Sequence, residues 1–470
     1  MIALTLAEIA AITGGELHLA AGDTQETVVS GDVDTDSRNI GPGGIFVAKP
    51  GDVTDGHLFI PAAIAGGAAL AIVERRADDP VTQIVVPDVV LAIADLARDV
   101  VARVRTGGRL RVIGITGSNG KTTTKNMLRE ILREEGETVA PVASYNNAVG
   151  APLTMLKVTE STEFLICELG ADAPGQIARL AGLVDPDVGV VLMVGLSHAG
   201  GFGGIEHTKL AKQELVEAIP PGGTAVLNAD DHRVADMANA AAQRSVNVRW
   251  FGETGSAHVR ATDIDVSASG TVSHLVVDGE EHTLRLRVIG AHHVKNAQAA
   301  LTAALAVGVS PERAIAALER IELAERWRMQ VMGSERVRII NDAYNASPDA
   351  MQAALRTLAQ ITGEGERMVA VLGAMSELGE RDVEEHAKIG LLAVRLRIPR
   401  IVVVGKDARP LYLSAIAEGS WNDEAVFFET ADEAYDYLMG ELRDGDRVLV
   451  KSSNAAGLRL LGDRLGESFS

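Results

Sequence analysis

Residues 111–136 read RVIGITGSNGKTTTKNMLREILREEG, an apolar run, then a glycine-bearing loop, then an amphipathic helical pattern closed by Gly136. A strand feeding a helix through a short loop is half of a βαβ unit, so this stretch predicts a parallel sheet with helices on its faces. The loop also carries chemistry. Gly117 and Gly120 let backbone N–H groups converge on a polyphosphate, and the helix N-terminus adds partial positive charge. Within Gly117-Ser118-Asn119-Gly120-Lys121-Thr122-Thr123, Lys121 is placed to neutralise the β and γ phosphates and Thr122 to offer its hydroxyl to Mg²⁺. The general phosphate-loop pattern wants glycine where Ile115 stands, with glycines at 114 and 117 instead, so this is a variant loop. A glycine-rich turn with an exposed lysine is the bland alternative. The coincidence of strand, loop, Gly-Lys-Thr-Thr and helix weighs against it, and the expected ligand is a nucleoside triphosphate.

Outward from that unit the rhythm continues. FLICELG (164–170), DVGVVLMVG (187–195) and TAVLNADD (224–231) are apolar runs ending in glycine or polar residues, as strands of a sheet covered on both faces do. Between about 257 and 289 the period changes to two, with a turn signal at Asp278-Gly279, predicting an antiparallel hairpin insert. A helix is predicted from about 292 to 307 and a second after Ser310-Pro311, serine capping and proline opening the first turn. The chain then returns to α/β, with VRIIND, MVAVLG, RIVVVG, AVFFET and RVLVKS as strands and PDAMQAALRTLAQI and EEHAKIGLLAVRL among the helices. Ahead of the loop, short strand-like runs (IFVAKP, ALAIVE, QIVVP) alternate with alanine-rich helical stretches as far as Arg105-Thr106-Gly107-Gly108-Arg109. The expected organisation is three α/β domains, 1–108, 109–325 and 326–470, the central one built on a parallel sheet.

A chain of 470 residues exceeds what one core usually organises, which agrees with three domains. With 44 Lys plus Arg against 64 Asp plus Glu, the formal charge of −20 has the wrong sign for a protein whose main affinity is for nucleic acid. Any nucleotide must be held locally. The single cysteine, Cys167, excludes an internal disulfide and a thiolate metal cluster, and fits a reducing compartment. MIALTLAEIAAITGG has no basic leader region and carries Glu8, so it predicts a short amphipathic helix stopped by Gly14-Gly15 rather than a signal peptide. No apolar run is long enough to cross a bilayer. A soluble cytoplasmic monomer is the expectation.

TGSNGKTTT resembles the ATP loop of the Mur ligases, the cytoplasmic amide-forming enzymes that build the peptide stem of the bacterial cell-wall precursor. Matching stretches cover nearly the whole chain: DSRNIGPGGIFVAKPGDVTDGH, the loop, YNNAVGAPLTML, CELGADAPGQI, LSHAGGFGG, HTKLAKQEL, NADD, HHVKNAQAA, RWRMQV, NDAYNASPDAM, LGAMSELG and VKSSNAAGL. Within the family, YNN-x-x-G-x-P and SHAGGFG point to the member that joins D-alanyl-D-alanine to UDP-N-acetylmuramoyl-tripeptide. The member that adds the preceding amino acid is the nearest rival, but usually has Asn-Thr-Thr-Pro where Tyr145-Asn146-Asn147 stand, and a DNPR-type motif not found here. A nucleotide-binding regulator that has lost the reaction is the alternative from another class, and retention of Lys121, Glu168, His198 and Lys212 argues against it. The resemblance implies an N-terminal domain for the UDP end of the substrate, a central ATPase domain and a C-terminal Rossmann-like domain. It further implies that the tripeptide carboxylate takes the γ-phosphoryl group of ATP to give an acyl phosphate, which the dipeptide amine then attacks.

Bringing a carboxylate to a triphosphate unites two anions, so cations must stand where charge accumulates. Glu168 ends the apolar run FLIC at the mouth of a strand, and the resemblance makes it a Mg²⁺ ligand rather than a turn cap. The resemblance makes His198 a ligand of a second Mg²⁺, although a lone histidine after a strand is more often a hydrogen-bonded loop residue. Lys212 falls where the family carries a CO₂-modified lysine whose carbamate bridges metal and phosphate; Lys209 is the neighbour open to confusion with it. Asn146 and Asn147 are implied to touch substrate or γ-phosphate, a turn-forming pair being the bland alternative. Asn296 resembles the adenine-contacting asparagine, and His293 stands where the family usually has asparagine. Arg328 resembles the arginine that reaches the γ-phosphate across the cleft, and Asp342 with Tyr344 and Asn345 resembles the nucleotide-facing loop of the third domain. Ser37 and Arg38, and the segment from Lys49 to His57, are candidates for the UDP and sugar contacts, with polar turns as the alternative. Ser347 and Ser452 depart from the usual asparagine and glycine.

Overall fold

The strand at the head of the loop forms over Arg111–Thr116 and lies inside a sheet, parallel to Phe164–Glu168 on one side and Val188–Val191 on the other. The computed structural model describes residues 1–51, 54–142, 144–196, 204–321, 326–418 and 424–470. Among these residues the sheet runs, edge to edge, Glu280–Leu286, Gly270–Val277, Val259–Ser267, Asn247–Gly252, Thr224–Asn228, Val188–Val191, Arg111–Thr116, Phe164–Glu168 and Thr138–Val139. The order places strand Arg111–Thr116 where connections depart to both sides, so the carboxyl ends of it and its neighbours open onto a crevice. The predicted hairpin is present, its turn at Asp278 and Gly279 taking positive φ of 47° and 97°. It is continuous with the main sheet, because Phe251 and Gly252 pair in parallel with Val259 and Arg260.

The loop helix spans Lys121–Leu132, one turn short of the predicted stop at Gly136. Leu132 O accepts the N–H groups of both Glu135 and Gly136, so the last turn tightens instead of continuing. Helices Ala291–Ala306 and Pro311–Glu319 occupy the predicted stretches, and Ser310 accepts the Arg313 N–H as its cap.

Residues ahead of the loop fold around strands Glu16–His18, Thr82–Val85, Ala68–Val73, Gly44–Val47 and Val33–Asp34, parallel except for the first. The N-terminal helix is Leu6–Thr13, boxed in by Thr5 and Glu8 and ended by Gly14 at φ 63°. Helix Val89–Thr106 packs on Gly150–Met155, so Leu96, Val100, Leu153 and Met155 share one apolar core across the expected boundary at 108. After residue 326 a six-stranded sheet runs Gln330–Gly333, Val337–Asn341, Asp446–Lys451, Arg367–Leu372, Arg400–Val404 and Ala425–Phe428. All of its pairings are parallel except that of the first edge strand. The expected linker at 325 lies outside the described residues, as does the whole 197–203 stretch that includes His198. No described helix is long and apolar enough to cross a membrane.

Candidate functional site

The phosphate loop leaves its strand at Thr116 and re-enters helix at Lys121, and its geometry depends on glycine. Gly120 has φ +85°, and a Cβ there would lie 2.4 Å from Asn296 Oδ1. A Cβ on Gly117 would meet Leu192 Cβ at 2.8 Å. Lys121 Nζ donates to Gly117 O at 2.7 Å, folding the ammonium back over the loop. Burial pushes that ammonium below its ordinary pKa, Glu168 opposes the shift and Arg328 adds to it. A polyanion in the loop would restore the charge balance.

Ser118, Asn119, Gly120, Lys121, Thr122 and Thr123 line a cleft of about 400 Å³ together with Asn146, Glu168 and Asn296 from the central domain. Arg328, Asp342, Tyr344 and Asn345 line it from the third sheet's side. Residues more than two hundred positions apart in sequence thus meet around one space. Across it, Arg328 donates to Thr122 Oγ1 at 3.3 Å, and Ser347 Oγ donates to Asn119 Oδ1 at 3.1 Å.

Glu168 is buried at the end of its strand, 1 % exposed. Its Oε1 accepts from Asn146 Nδ2 at 3.0 Å and Thr122 Oγ1 at 3.3 Å. Its Oε2 is buried without a hydrogen-bond partner among the described residues. A buried carboxylate oxygen left unpaired beside a threonine hydroxyl and a phosphate loop suits a hard divalent cation that shares its shell with phosphate and water. Thr122 and Glu168 therefore fit Mg²⁺. His198 lies outside the described residues.

Lys212 sits on helix Ile205–Ala218, 2 % exposed. Burial above all, helped by the nearby Lys121 charge and opposed by Glu214 and Asp172, lowers its pKa to about 7. Such an amine is largely neutral at mildly alkaline pH, the form that reacts with CO₂. Lys209, by contrast, is engaged at 2.8 Å by Asp236 on the surface.

Other expected positions fall elsewhere. Asn147 does not line the cleft; its Oδ1 accepts from Val149 N at 3.1 Å and Gly150 N at 2.8 Å, holding the start of helix Gly150–Met155. Ser37, Arg38, Lys49 and His57 do not line it either. Arg38 is tied to Asp36, Lys49 Nζ donates to Pro50 O at 3.2 Å, and buried His57 lies 2.7 Å from Asp55 Oδ1. His292 and His293 both border the cleft and are held neutral by burial, His292 with its pKa near 4. Neither ring nitrogen of His293 has a partner among the described residues.

Several cleft residues were not singled out from sequence: Ser144, Lys295, Asp349 and Lys451. Lys451 donates to Asp342 Oδ2 at 2.5 Å and Asn345 O at 3.1 Å, and so shapes the loop carrying both. The available signal was a lysine ending the apolar strand RVLVK, where a charge is out of place unless it is used. Asp349 is part-buried; burial raises its carboxyl pKa, the Leu196 N–H opposes the shift, and Glu385 and Asp231 reinforce it.

The chain matches the family models for the Mur ligase family catalytic domain over residues 32–106, the Mur ligase middle domain over 115–304 and the Mur ligase glutamate ligase domain over 327–454. It is 42 % identical to the UDP-N-acetylmuramoyl-tripeptide--D-alanyl-D-alanine ligase of Mycobacterium bovis, covering 99 % of this chain and 98 % of that protein. Its fold is similar to the crystal structure of MurF from Acinetobacter baumannii, with TM-score 0.88, 31 % identity and 99 % of each chain covered. It is also similar to MurF ligase from Thermotoga maritima in complex with ADP, with TM-score 0.80, 27 % identity and coverage of 93 % and 97 %.

Proposed function

Because the chain belongs to the Mur ligase family, we propose the following account of what it does and how its residues divide the work. The protein is an ATP-dependent ligase that joins D-alanyl-D-alanine to UDP-N-acetylmuramoyl-tripeptide in peptidoglycan precursor synthesis. The observation that carries the residue assignment is the meeting of Lys121, Thr122, Glu168 and Arg328 on one cleft.

The loop amides and Lys121 hold the β and γ phosphates. A carboxylate oxygen of the tripeptide attacks the γ-phosphorus, the bond to the β,γ-bridging oxygen breaks, and ADP leaves. Arg328 sits over the same end of the loop and offsets charge on the transferred group. Thr122, Glu168 and, once carbamylated, Lys212 would hold Mg²⁺, which supplies charge neutralisation at the phosphates. Asn146 orients Glu168 through its amide. The dipeptide amine, having lost its ammonium proton, then attacks the acyl carbon and phosphate departs. Exclusion of water protects the acyl phosphate, and the cleft provides it by being walled from two domains. His293, kept neutral by burial and without a hydrogen-bond partner among the described residues, and Asn296 face the nucleoside end. Residues 1–108, with Ser37, Arg38, Lys49 and His57, receive the UDP-sugar, away from the cleft. The chain works as a cytoplasmic monomer, since one copy supplies both walls of the site and its buried Cys167 is a free thiol.

A coupled phosphate-release assay tests the assignment. Release that requires ATP, UDP-N-acetylmuramoyl-tripeptide and D-alanyl-D-alanine together is expected; equal turnover with a single amino acid in place of the dipeptide would overturn it.

A further inference from the structure

Three consecutive backbone N–H groups beyond strand Val188–Val191 are each held by a side chain from a different part of the chain. Val194 N donates to Asp231 Oδ2 at 2.8 Å, Gly195 N to Ser118 Oγ at 2.9 Å, and Leu196 N to Asp349 Oδ2 at 3.4 Å. Asp231 is local: it caps the helix His232–Ala235. Ser118 belongs to the phosphate loop, and its hydroxyl returns a bond to Gly195 O at 3.2 Å. Asp349 alone comes from the third domain, in the first turn of helix Pro348–Ile361.

Ser347, the N-cap of that helix, donates to Asn119 Oδ1 in the phosphate loop. One helical turn therefore touches the loop at Asn119 and the adjoining segment at 195–196, and Ser118 ties the two together. The approach is close. A Cβ on Gly195 would lie 2.3 Å from Asp349 Oδ2, so the carboxylate rests against bare backbone.

We propose that Asp349 is a positioning residue for phosphoryl transfer, a latch by which the docked third domain fixes the Gly195–Leu196 backbone and, through Ser118, the phosphate loop. The proposal rests on the ligase reading above. Asp349 acts by accepting a hydrogen bond, a task that asparagine can also perform, and a displacement of the loop by a fraction of an ångström is enough to slow transfer. Ser347 alone cannot replace it, because its hydroxyl reaches Asn119 and leaves the Leu196 N–H without an acceptor.

The test compares Asp349→Ala, Asp349→Asn, Gly195→Ala and the double variant Gly195→Ala/Asp349→Ala in the full chain, by ligase kinetics, thermal melting and binding of a fluorescent ATP analogue. Asp349→Ala is expected to lower kcat about 10- to 100-fold and to weaken nucleotide binding severalfold while the melting temperature holds. Asp349→Asn is expected to restore both to within about threefold of the parent. Gly195→Ala, which pushes a methyl group into the carboxylate, should be impaired similarly, and the double variant no worse than Asp349→Ala alone. Unchanged kcat and nucleotide affinity in Asp349→Ala would overturn the proposal, as would Asp349→Asn being as impaired as Asp349→Ala, or strictly additive losses in the double variant. If Asp349→Ala does not fold, normal activity in Gly195→Ala overturns it. Nucleotide binding is read without the ligation reaction, so a parent enzyme that binds ATP but joins no dipeptide refutes the ligase reading and leaves the latch to be judged by binding.

Discussion

Arg328 donates a hydrogen bond to Thr122 Oγ1 at 3.3 Å, linking the first residues of the third domain to the first turn of the phosphate-loop helix. Its guanidinium carbon also lies 4.2 Å from the centre of the Tyr344 ring, a cation–π contact that fixes the plane of the group. A planar fork held in this way cannot be copied by a flexible ammonium.

Arg328→Lys therefore should not behave as a conservative change. We expect kcat to fall by about two orders of magnitude, within the range for loss of one preorganised donor at a transferring group. Steady-state kinetics with varied ATP check this, and a variant within threefold of the parent would refute the role of Arg328 at the γ-phosphate.

Glu168→Gln keeps the shape of the side chain and removes its charge. Asn146 and Thr122 can still bond to it, so the fold should survive while the Mg²⁺ concentration for half-maximal rate rises on the order of tenfold or more. A Mg²⁺ titration at saturating ATP is the measurement, and an unshifted midpoint would remove Glu168 from the metal site.

Lys212 has its pKa lowered to about 7, chiefly by burial. The neutral amine, which alone adds CO₂, therefore predominates above pH 7 and is lost as the pH falls through it. Stripping CO₂ and bicarbonate should reduce the rate, and the bicarbonate needed for recovery should rise steeply between pH 8 and pH 6. Activity indifferent to CO₂ across that range, with no added 44 Da on the lysine by native mass spectrometry, would count against carbamylation.

Asp446 is fully buried and receives Arg367 through both carboxylate oxygens, at 2.8 and 2.7 Å, with Arg443 N–H at 2.9 Å. Asp446→Ala leaves the guanidinium without its main partner inside the third domain, and we expect a loss of roughly 3 kcal/mol or more in unfolding free energy. Urea denaturation checks this, while ATP binding by the folded fraction should be little affected because the pair lies far along the strand from Lys451 at its cleft end.

The strands were legible where apolar runs were long and closed by glycine, as at Arg111–Thr116, Phe164–Glu168 and Arg400–Val404. Gln330–Gly333 was not, because four residues of mixed polarity carry no period and become a strand only by pairing with Val337–Asn341. The phosphate loop could be read whole, since all its working atoms lie within a few residues of each other. Asn147 shows the limit: its sequence neighbourhood matched the family, yet its side chain is engaged by the backbone of the next helix.

By itself the sequence determined the α/β character, the phosphate loop and the family, all of which are written in local periodicity or in short contiguous motifs. Tertiary structure alone decided that Arg328 and Ser347 reach back to Thr122 and Asn119, that Glu168 has one oxygen without a hydrogen-bond partner among the described residues, and that Lys212 rather than Lys209 is buried. The physical reason is that desolvation and close approach depend on which distant segments pack together. Neither quantity has a value until the sheets are assembled, and each sets the charge state and reach of the groups that do the chemistry.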